Sequence, residues 1–550
     1  MTPPPGSIAD GPARPAPWRT AVVAAGLVAL AAVSYATVRP TNFAGSDEWV
    51  ILSLLSRGIL GFAWANRPLN LIWGLPAWLV LPHHVTGFLV LHVLWIGLGG
   101  VLVFLLVRRL LPGSTPLAFL AGVFTIVWAP TDGSRLCAVQ MILYSGCTFG
   151  VLLATWLSVE AWLRRRPVLA LGAITAAAVA VLSLEAALAP LALVPLLFFL
   201  AGGRREPRRF AAWTLLAVLL LAVGGARALW PVWTAPEKVA YQAGLAEQVM
   251  RPTQVVSATL RQFRRHVAPL VQPPTSERGW PVGLAALAVF AAGFAASSWR
   301  ARPRADEGEG GVSRRRLLAA AGVGCLWALA SYLPFATTTR RPFRTQFLSA
   351  PGVAVLVAVG VVWAASLLPR RARLPVAGLL GAWIVALGVL RIAAFQARWD
   401  EVSPYHGQRR TLVELTAIGP DLSPGTLVVL LQRDGAWPFD MTFRHALLYL
   451  YEGRAAGHVV GADPLLYETR FEATGIRSIP APAIRDPWQE PVTLYPYDSV
   501  VAVRHDATGR LRLLDAWPAE LPALPLGAVY APRSRLLVGP RPRRLTVLDW

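Results

Sequence analysis

Apolar stretches of about 20 residues recur through the first 394 of the 550 residues, and nothing else in the sequence constrains its fold as strongly. That is the length a helix needs to cross a hydrocarbon core. Backbone groups inside a bilayer must be satisfied within the chain itself, which selects helices. Eleven candidate spans follow, at 18–38, 85–107, 113–130, 139–161, 167–183, 185–201, 210–229, 280–299, 317–335, 347–367 and 374–394. With 55% hydrophobic and 15% charged residues, the chain is too apolar for a soluble protein of this length. The expected fold is an all-α polytopic membrane domain of about eleven transmembrane helices, followed by a small extracytoplasmic α/β domain at 395–550.

The formal charge of +22 suggests nucleic acid until its location is considered. The first 394 residues hold 35 basic and 13 acidic side chains, whereas the remainder is balanced at 17 of each. The excess therefore lies among the membrane spans, where basic loops set orientation. Clusters at Arg14/Arg19, Arg108/Arg109, 164–166, Arg204/Arg205/Arg208/Arg209, 300–316 and Arg370/Arg371/Arg373 all fall on the cytoplasmic side if the N-terminus is inside. Nucleic acid is not an expected partner; membrane lipid is. This register makes 69–82 (LNLIWGLPAWLVLP) interfacial or re-entrant, since a crossing there would invert every later loop. It leaves long outer segments at 39–84 and 230–279, with 395–550 also outside. The Pro-, Gly- and Ala-rich stretch 1–17 reads as a disordered cytoplasmic N-terminus. The apolar run at 18–38 is too long for a signal peptide and reads as a retained anchor. The localisation expected is a bacterial cytoplasmic membrane.

The tail has α/β patterning. GTLVVLL (425–431) reads as a buried strand, and FRHALLYLYEG (443–453) as a helix ending at Gly453. SVVAVRHDATGRLRLL (499–514) alternates on both sides of a turn at 506–509 and reads as a hairpin. Cys137, Cys147 and Cys325 have no CxxC spacing, so they indicate no zinc or redox site.

Acidic residues are scarce before 395, yet Asp47 and Glu48 stand side by side where the chain leaves its first span, in FAGSDEWVILSLLSRG (43–58). One account is helix capping: Ser46 as N-cap, with both carboxylates in the first turn. Ile51, Leu54, Leu55 and Ile59 then recur at helical spacing, describing an amphipathic helix along the outer membrane surface. The other account is functional, because ionisable residues at membrane depth are costly. Asp47, Glu48, Asp132 and Glu185 all fall at outer ends of spans.

The Asp47-Glu48 pair, followed about 20 residues later by NRPLNLIW (66–73), resembles GT-C-fold glycosyltransferases, in particular protein O-mannosyltransferases and lipid A aminoarabinose transferases. The resemblance implies a polyprenyl-phosphate-linked monosaccharide as donor and inverting hexosyl or pentosyl transfer to a glycan, lipid or protein acceptor on the outer side. It implies Asp47 as the base that takes the acceptor proton, with Glu48 as a substrate or metal contact. The pair is not a DxD motif; the sequence assigns no cofactor and leaves a divalent cation as an option. A phosphate leaving group needs cations, and guanidinium matches its oxygens. FATTTRRPFRTQFLSAPG (335–352) offers Arg340, Arg341 and Arg344 on the outer side, against the positive-inside trend. Headgroup contact is the alternative account of these three.

Arg67 is a further phosphate candidate or an anchor of the interfacial segment. Asp132 and Arg135, in APTDGSR, read as a turn with a local ion pair or as acceptor contacts. Glu185, in VLSLEAAL, reads equally as a satisfied structural carboxylate and as a second active-site acid. Neighbouring His83 and His84, at the outer end of the second span, point to different helix faces, an arrangement that rarely chelates one metal. Arg261, Arg264 and Arg265 form a basic outer patch suited to headgroups. Two other function classes stay open: a transporter or flippase of lipid-linked saccharide, and a non-catalytic membrane scaffold. A transporter should show repeats and charge near the midplane; no repeat is present, and the charges gather at the outer ends.

Overall fold

The structure, a computed structural model, describes residues 17–43, 47–61, 67–127, 136–201, 206–234, 252–267, 279–298, 314–336, 346–432 and 435–548. Among the described residues, each stretch expected to span contains helix. The helices are α1 (Pro17–Ser34), α2 (Glu48–Ser56), α3 (Leu75–Val80), α4 (Val85–Leu110), α5 (Thr115–Val127), α6 (Ala138–Arg164) and α7 (Pro167–Ser183). They continue as α8 (Leu188–Leu191), α9 (Val194–Leu200), α10 (Pro207–Thr234), α11 (Pro252–Val267), α12 (Trp280–Ser298), α13 (Arg314–Ala336), α14 (Gln346–Ser366) and α15 (Arg370–Val402). Among the described residues, α4, α6, the first 21 residues of α10, α12, α14 and α15 are long and apolar enough to cross a membrane. The bundle packs closely where glycines face each other. A Cβ on Gly324 would lie 2.8 Å from the Gly352 carbonyl oxygen, so α13 and α14 touch through their backbones.

Three sequence expectations change. The segment 185–201 is not one continuous span: a 3-10 turn (Glu185–Ala187), α8 and α9 break it. Pro190 and Pro195 each lack the N–H that a continuous helix would use. The last membrane helix, α15, runs on to Val402, so the C-terminal domain starts about eight residues later than expected from the end of the apolar run. And α2 is not a surface helix. All of its residues from Glu48 to Leu55 are buried, because the C-terminal domain covers the side that would otherwise face water. Segment 69–82 forms no helix long enough to cross a membrane. Its 3-10 turn (Asn70–Trp73) and the six-residue α3 are too short to cross, and Leu79, Val80 and Leu81 are exposed.

Among the described residues, the basic end of α4 meets the start of α1, and the basic end of α6 meets that of α4 and the start of α10. Arg108 at the end of α4 donates to Thr20 Oγ1 near the start of α1. Glu160 of α6 pairs with Arg109 at 3.1 Å and with Arg164. Glu206 receives Arg165 at 2.9 Å and Arg209 at 3.0 Å.

The C-terminal domain sits at the other end of the bundle. After α16 (Tyr405–Ile418) come β1 (Asp421–Leu422), β2 (Thr426–Leu431), α17 (Asp440–Leu450), β3 (Ala455–Val459), β4 (Tyr467–Glu472), β5 (Gly475–Pro480), α18 (Pro482–Arg485), β6 (Thr493–Tyr495), β7 (Val500–His505), β8 (Leu511–Leu513) and β9 (Leu536–Leu537). The central sheet has the order β3-β2-β7-β8, with β2 parallel to both neighbours and β8 antiparallel on the hairpin from β7. The buried strand, the helix and the hairpin expected from sequence are β2, α17 and β7–β8. Strand β2 is buried throughout because both its faces are covered. Val428 and Leu430 join the core shared with α17 and the membrane helices, whereas Leu427 and Val429 pack with Ile476 and Tyr495 of the β4-β5-β6 sheet.

Candidate functional site

Asp47 is the N-cap of α2: its carbonyl accepts from the Ile51 amide at 2.8 Å. Its carboxylate does not cap the helix. Oδ2 instead accepts a 2.6 Å hydrogen bond from Gln140 Nε2, at the start of α6. The capping account expected Ser46 in this role; Ser46 lies outside the described residues. Asp47 keeps partial exposure, and Glu48 beside it is fully buried. Two neighbouring carboxylates at the head of one helix thus have different surroundings. The partly exposed one is fixed by a neutral amide.

Helix α2 is held at three further points. Trp49 Nε1 donates to Gln408 Oε1 of α16 at 3.0 Å. Arg57, the C-cap, donates to Glu490 Oε1 at 2.8 Å and to the Trp488 carbonyl at 2.9 Å. The chain just before α2 is tied to α15, with Thr41 donating to Asp400 at 2.6 Å and Asn42 to Gln396 at 2.6 Å. The apolar side of α2 adds Val50, Ile51, Leu52, Leu54 and Leu55, each under 5% exposed. Full burial of one such side chain contributes roughly 1.5–3 kcal/mol.

Arg67 and Glu185, 118 positions apart, form a two-pronged ion pair at 2.8 and 2.6 Å. The backbone supports it: Leu69 N–H donates to the Leu182 carbonyl, and Ser183 Oγ to the Leu69 carbonyl. The guanidinium read from sequence as a phosphate contact is therefore engaged by the carboxylate read as a second acid. Asp132, Arg135, Arg340, Arg341 and Arg344 lie outside the described residues. The ends of the segment that carries the last three are described. Phe347 at the start of α14 stacks on Tyr144 with ring centroids 6.4 Å apart. Tyr144 is one helical turn from Gln140, so this flank lies at the same end of the bundle as Asp47.

Sequence reasoning missed several polar residues here. His92 is buried in the middle of the apolar run of α4, its Nδ1 2.9 Å from Ser145 Oγ and its ring 5.9 Å from Phe347. A lone histidine in VTGFLVLHVLW was a usable signal, since such residues are rare inside membranes. Gln140, a lone amide opening an apolar helix, was a weaker one. Gln408, Trp488 and Glu490 had no signal, because their partners are hundreds of positions away.

His83 and His84 lie in the turn before α4 and not on a helix, as the sequence suggests. His83 Nδ1 lies 2.7 Å from the Tyr449 hydroxyl, in a left-handed backbone conformation at φ 66°. Burial lowers its pKa, helped by Arg544. The amphipathic α11 leaves Val256, Leu260 and Phe263 exposed beside Arg261 and Arg264. Among the described residues, no three His, Cys, Asp or Glu side chains come together as a metal site.

No protein-family model matches the chain, and no curated protein matches it by sequence. Among solved structures it is similar to ArnT from Cupriavidus metallidurans, crystallised with undecaprenyl phosphate. That match has 16% identity, covers 89% of this chain and 93% of the other, and has a TM-score of 0.39. It is also similar to the archaeal oligosaccharyltransferase AglB from Archaeoglobus fulgidus, in complex with an inhibitory peptide and a dolichol-phosphate. There the identity is 14%, the coverage 82% of this chain and 65% of the other, and the TM-score 0.37.

Proposed function

We propose that this chain is an integral membrane glycosyltransferase that moves a monosaccharide from a polyprenyl-phosphate donor to an acceptor hydroxyl. The reaction is placed at the face that carries the C-terminal domain, taken as the outer side of a bacterial cytoplasmic membrane. The donor class comes from the sequence resemblance at Asp47-Glu48 and 66–73. The observation that carries the reading is the placement of Asp47: a partly exposed carboxylate at the head of a buried helix, fixed by Gln140 at 2.6 Å.

In this reading Asp47 removes the proton from the acceptor hydroxyl as its oxygen attacks the anomeric carbon. The new glycosidic bond forms as the bond from that carbon to the phosphate oxygen breaks, with inversion, and polyprenyl phosphate leaves with the electron pair. A positioned base contributes typically about 10²–10⁴-fold. Arg340, Arg341 and Arg344 are assigned to the phosphate, whose charge grows as the bond breaks. Glu48 supports Asp47 from its buried position or meets the substrate. Asp132 and Arg135 stay as acceptor-side candidates. Arg67 and Glu185 are assigned a joint scaffolding role, since phosphate would have to displace a two-pronged carboxylate to reach that guanidinium. The sugar, the acceptor (glycan, lipid or protein) and any divalent cation are not assigned.

Native mass spectrometry of the purified chain with undecaprenyl phosphate tests the donor half. Wild type should retain the lipid through desolvation, and R340A/R341A/R344A should not. Equal retention by both would overturn the assignment of the arginines.

One observation favours a second reading, a flippase of lipid-linked saccharide. The membrane segment at 185–200 is broken, with an ion pair at its head, and broken helices mark many transporters. Movement of fluorescent lipid-linked saccharide across proteoliposomes, unchanged in Asp47→Asn, would support that reading.

A further inference from the structure

We infer that the C-terminal domain is a positioning device for the acidic pair, acting through Arg57, Glu490 and Trp488. The inference rests on the proposed role of Asp47, and its physical basis is the way α2 is held. The helix has nine residues and is about 13 Å long, so it behaves as a short rigid rod. Fixing its C-terminal end therefore fixes where Asp47 and Glu48 stand at the other end.

The C-terminal end is held by the C-terminal domain. The Glu490 side chain is 5% exposed and sits between two guanidinium groups. Arg57 Nη1 is 2.8 Å from Oε1, and Arg444 Nη2 is 3.6 Å from Oε2. Arg444 is itself fixed: Nη1 donates to Ser478 Oγ at 3.0 Å, and its guanidinium lies 4.4 Å from the centre of the Tyr467 ring. Trp488 is fully buried, and its indole N–H donates to the Gly61 carbonyl just beyond α2, at 3.3 Å. Near the head of the helix, Trp49 donates to Gln408, whose own Nε2 donates to the Ala436 carbonyl. Three tethers from the C-terminal domain thus meet those from the membrane bundle: the Gln140 contact at Asp47 and, through the chain just before α2, Asp400 and Gln396 of α15.

A mere docking surface needs apolar contact and places no demand on charge. A carboxylate buried between two arginines is instead sensitive to geometry, because removing one member leaves the others unpaired away from water. That sensitivity suits a register pin, which holds one arrangement and penalises the neighbouring ones.

The test uses the full-length purified protein and the reaction of Asp47→Cys with a charged methanethiosulfonate reagent. Its rate reports the position of the helix head without any assumption about catalysis. Native Cys137 and Cys147 are buried, and Cys325→Ser removes the third thiol. Glu490→Gln, Glu490→Asp and Arg57→Gln in this background should each change the rate by roughly tenfold or more, the factor set by losing one charged hydrogen bond. Glu490→Asp keeps the charge but shortens its reach, so it stays informative if the others fail to fold. Arg512→Ala, on the exposed β7–β8 hairpin, should change nothing. An unchanged rate in folded Glu490→Asp would overturn the inference whatever the activity. With Asp47 in place, Glu490→Asp should also lower product formation in cells while retention of undecaprenyl phosphate stays intact; loss of both together would mark general damage and overturn positioning. If the labelling rate of Asp47→Cys changes as expected but Asp47→Asn cells make a normal product profile, the helix pin is supported and the transferase reading is the part that fails.

Discussion

The two faces of the helical bundle hold their arginines differently. At the basic face, arginines 109, 164 and 165 keep 37–69% of their side-chain surface in solvent while they pair with Glu206 and with Glu160, whose own side chain is 6% exposed. At the face covered by the C-terminal domain, charges go inside: Glu490 and Arg444 are each about 5% exposed or less, and Glu48 is fully buried. The first arrangement needs only a sign, since any mobile arginine near the headgroups favours the same orientation. The second needs a geometry, since a buried charge without its partner is strongly destabilising. The contrast separates pairs that tolerate movement from pairs that hold one arrangement.

Removing the C-terminal domain should have the largest effect. Truncation after residue 403 would uncover one side of α2, a helix whose six apolar side chains from Trp49 to Leu55 are buried all round. At roughly 1.5–3 kcal/mol each, exposing even half of them removes much of a typical net stability of about 5–15 kcal/mol. The truncated chain should not elute as a monodisperse species in size-exclusion chromatography; a sharp peak would show that the two parts are independent.

Arg67→Ala comes next. It strands the Glu185 carboxylate in a partly buried place and should lower stability by about 2 kcal/mol, less than a deeply buried pair because Glu185 is 32% exposed. Thermal unfolding in detergent checks this, and Arg67→Ala/Glu185→Ala should recover part of the loss.

Acidification gives a smaller, graded effect. Burial holds His445 neutral with its pKa well below 6.5, helped by the charges of Arg57 and Arg444. The unfolded chain takes up that proton near pH 6.5, whereas the folded one does not. Stability is then complete above pH 6.5 and falls by about 1.4 kcal/mol per pH unit below it, until the folded value is reached. The melting temperature should drop from about pH 7 to about pH 5, and the slope should flatten in His445→Gln. A slope unchanged by that substitution would assign the acid sensitivity elsewhere.

The smallest effect belongs to the basic face. Glu206→Gln removes two exposed pairs and should leave the melting temperature unchanged, because such pairs contribute little in water. A clear loss there would blur the distinction between the faces.

Much of the fold was legible because its periods are long. Helical segments and their basic ends come from runs of apolar residues and from arginine placement, and both survive in the structure. In the C-terminal domain, GTLVVLL, FRHALLYLYEG and the turn at 506–509 carry local signals strong enough to identify β2, α17 and the β7–β8 hairpin. What failed was long-range. The spacing of Ile51, Leu54 and Leu55 described a helix with one apolar face, and no local pattern shows that a domain at the far end of the chain covers the other. The break at 185–201 was readable from Pro190 and Pro195, but hydropathy concealed it. Asp47 and Glu48 stood out by type and position, whereas the contact that fixes Asp47 depends on Gln140, which reads as any polar residue at a helix start. Glu490 and Arg57 could be joined only through the tertiary structure.

The measurement that bears most directly on the central claim is mass spectrometry of envelope glycans, lipids and proteins from cells carrying Asp47→Asn, compared with wild type at equal protein abundance. The substitution keeps the size of the side chain and its contact with Gln140 while removing the base. The expected result is the loss of one monosaccharide addition, with the unmodified acceptor accumulating. An identical profile in the two strains would contradict the assignment of Asp47 as the base.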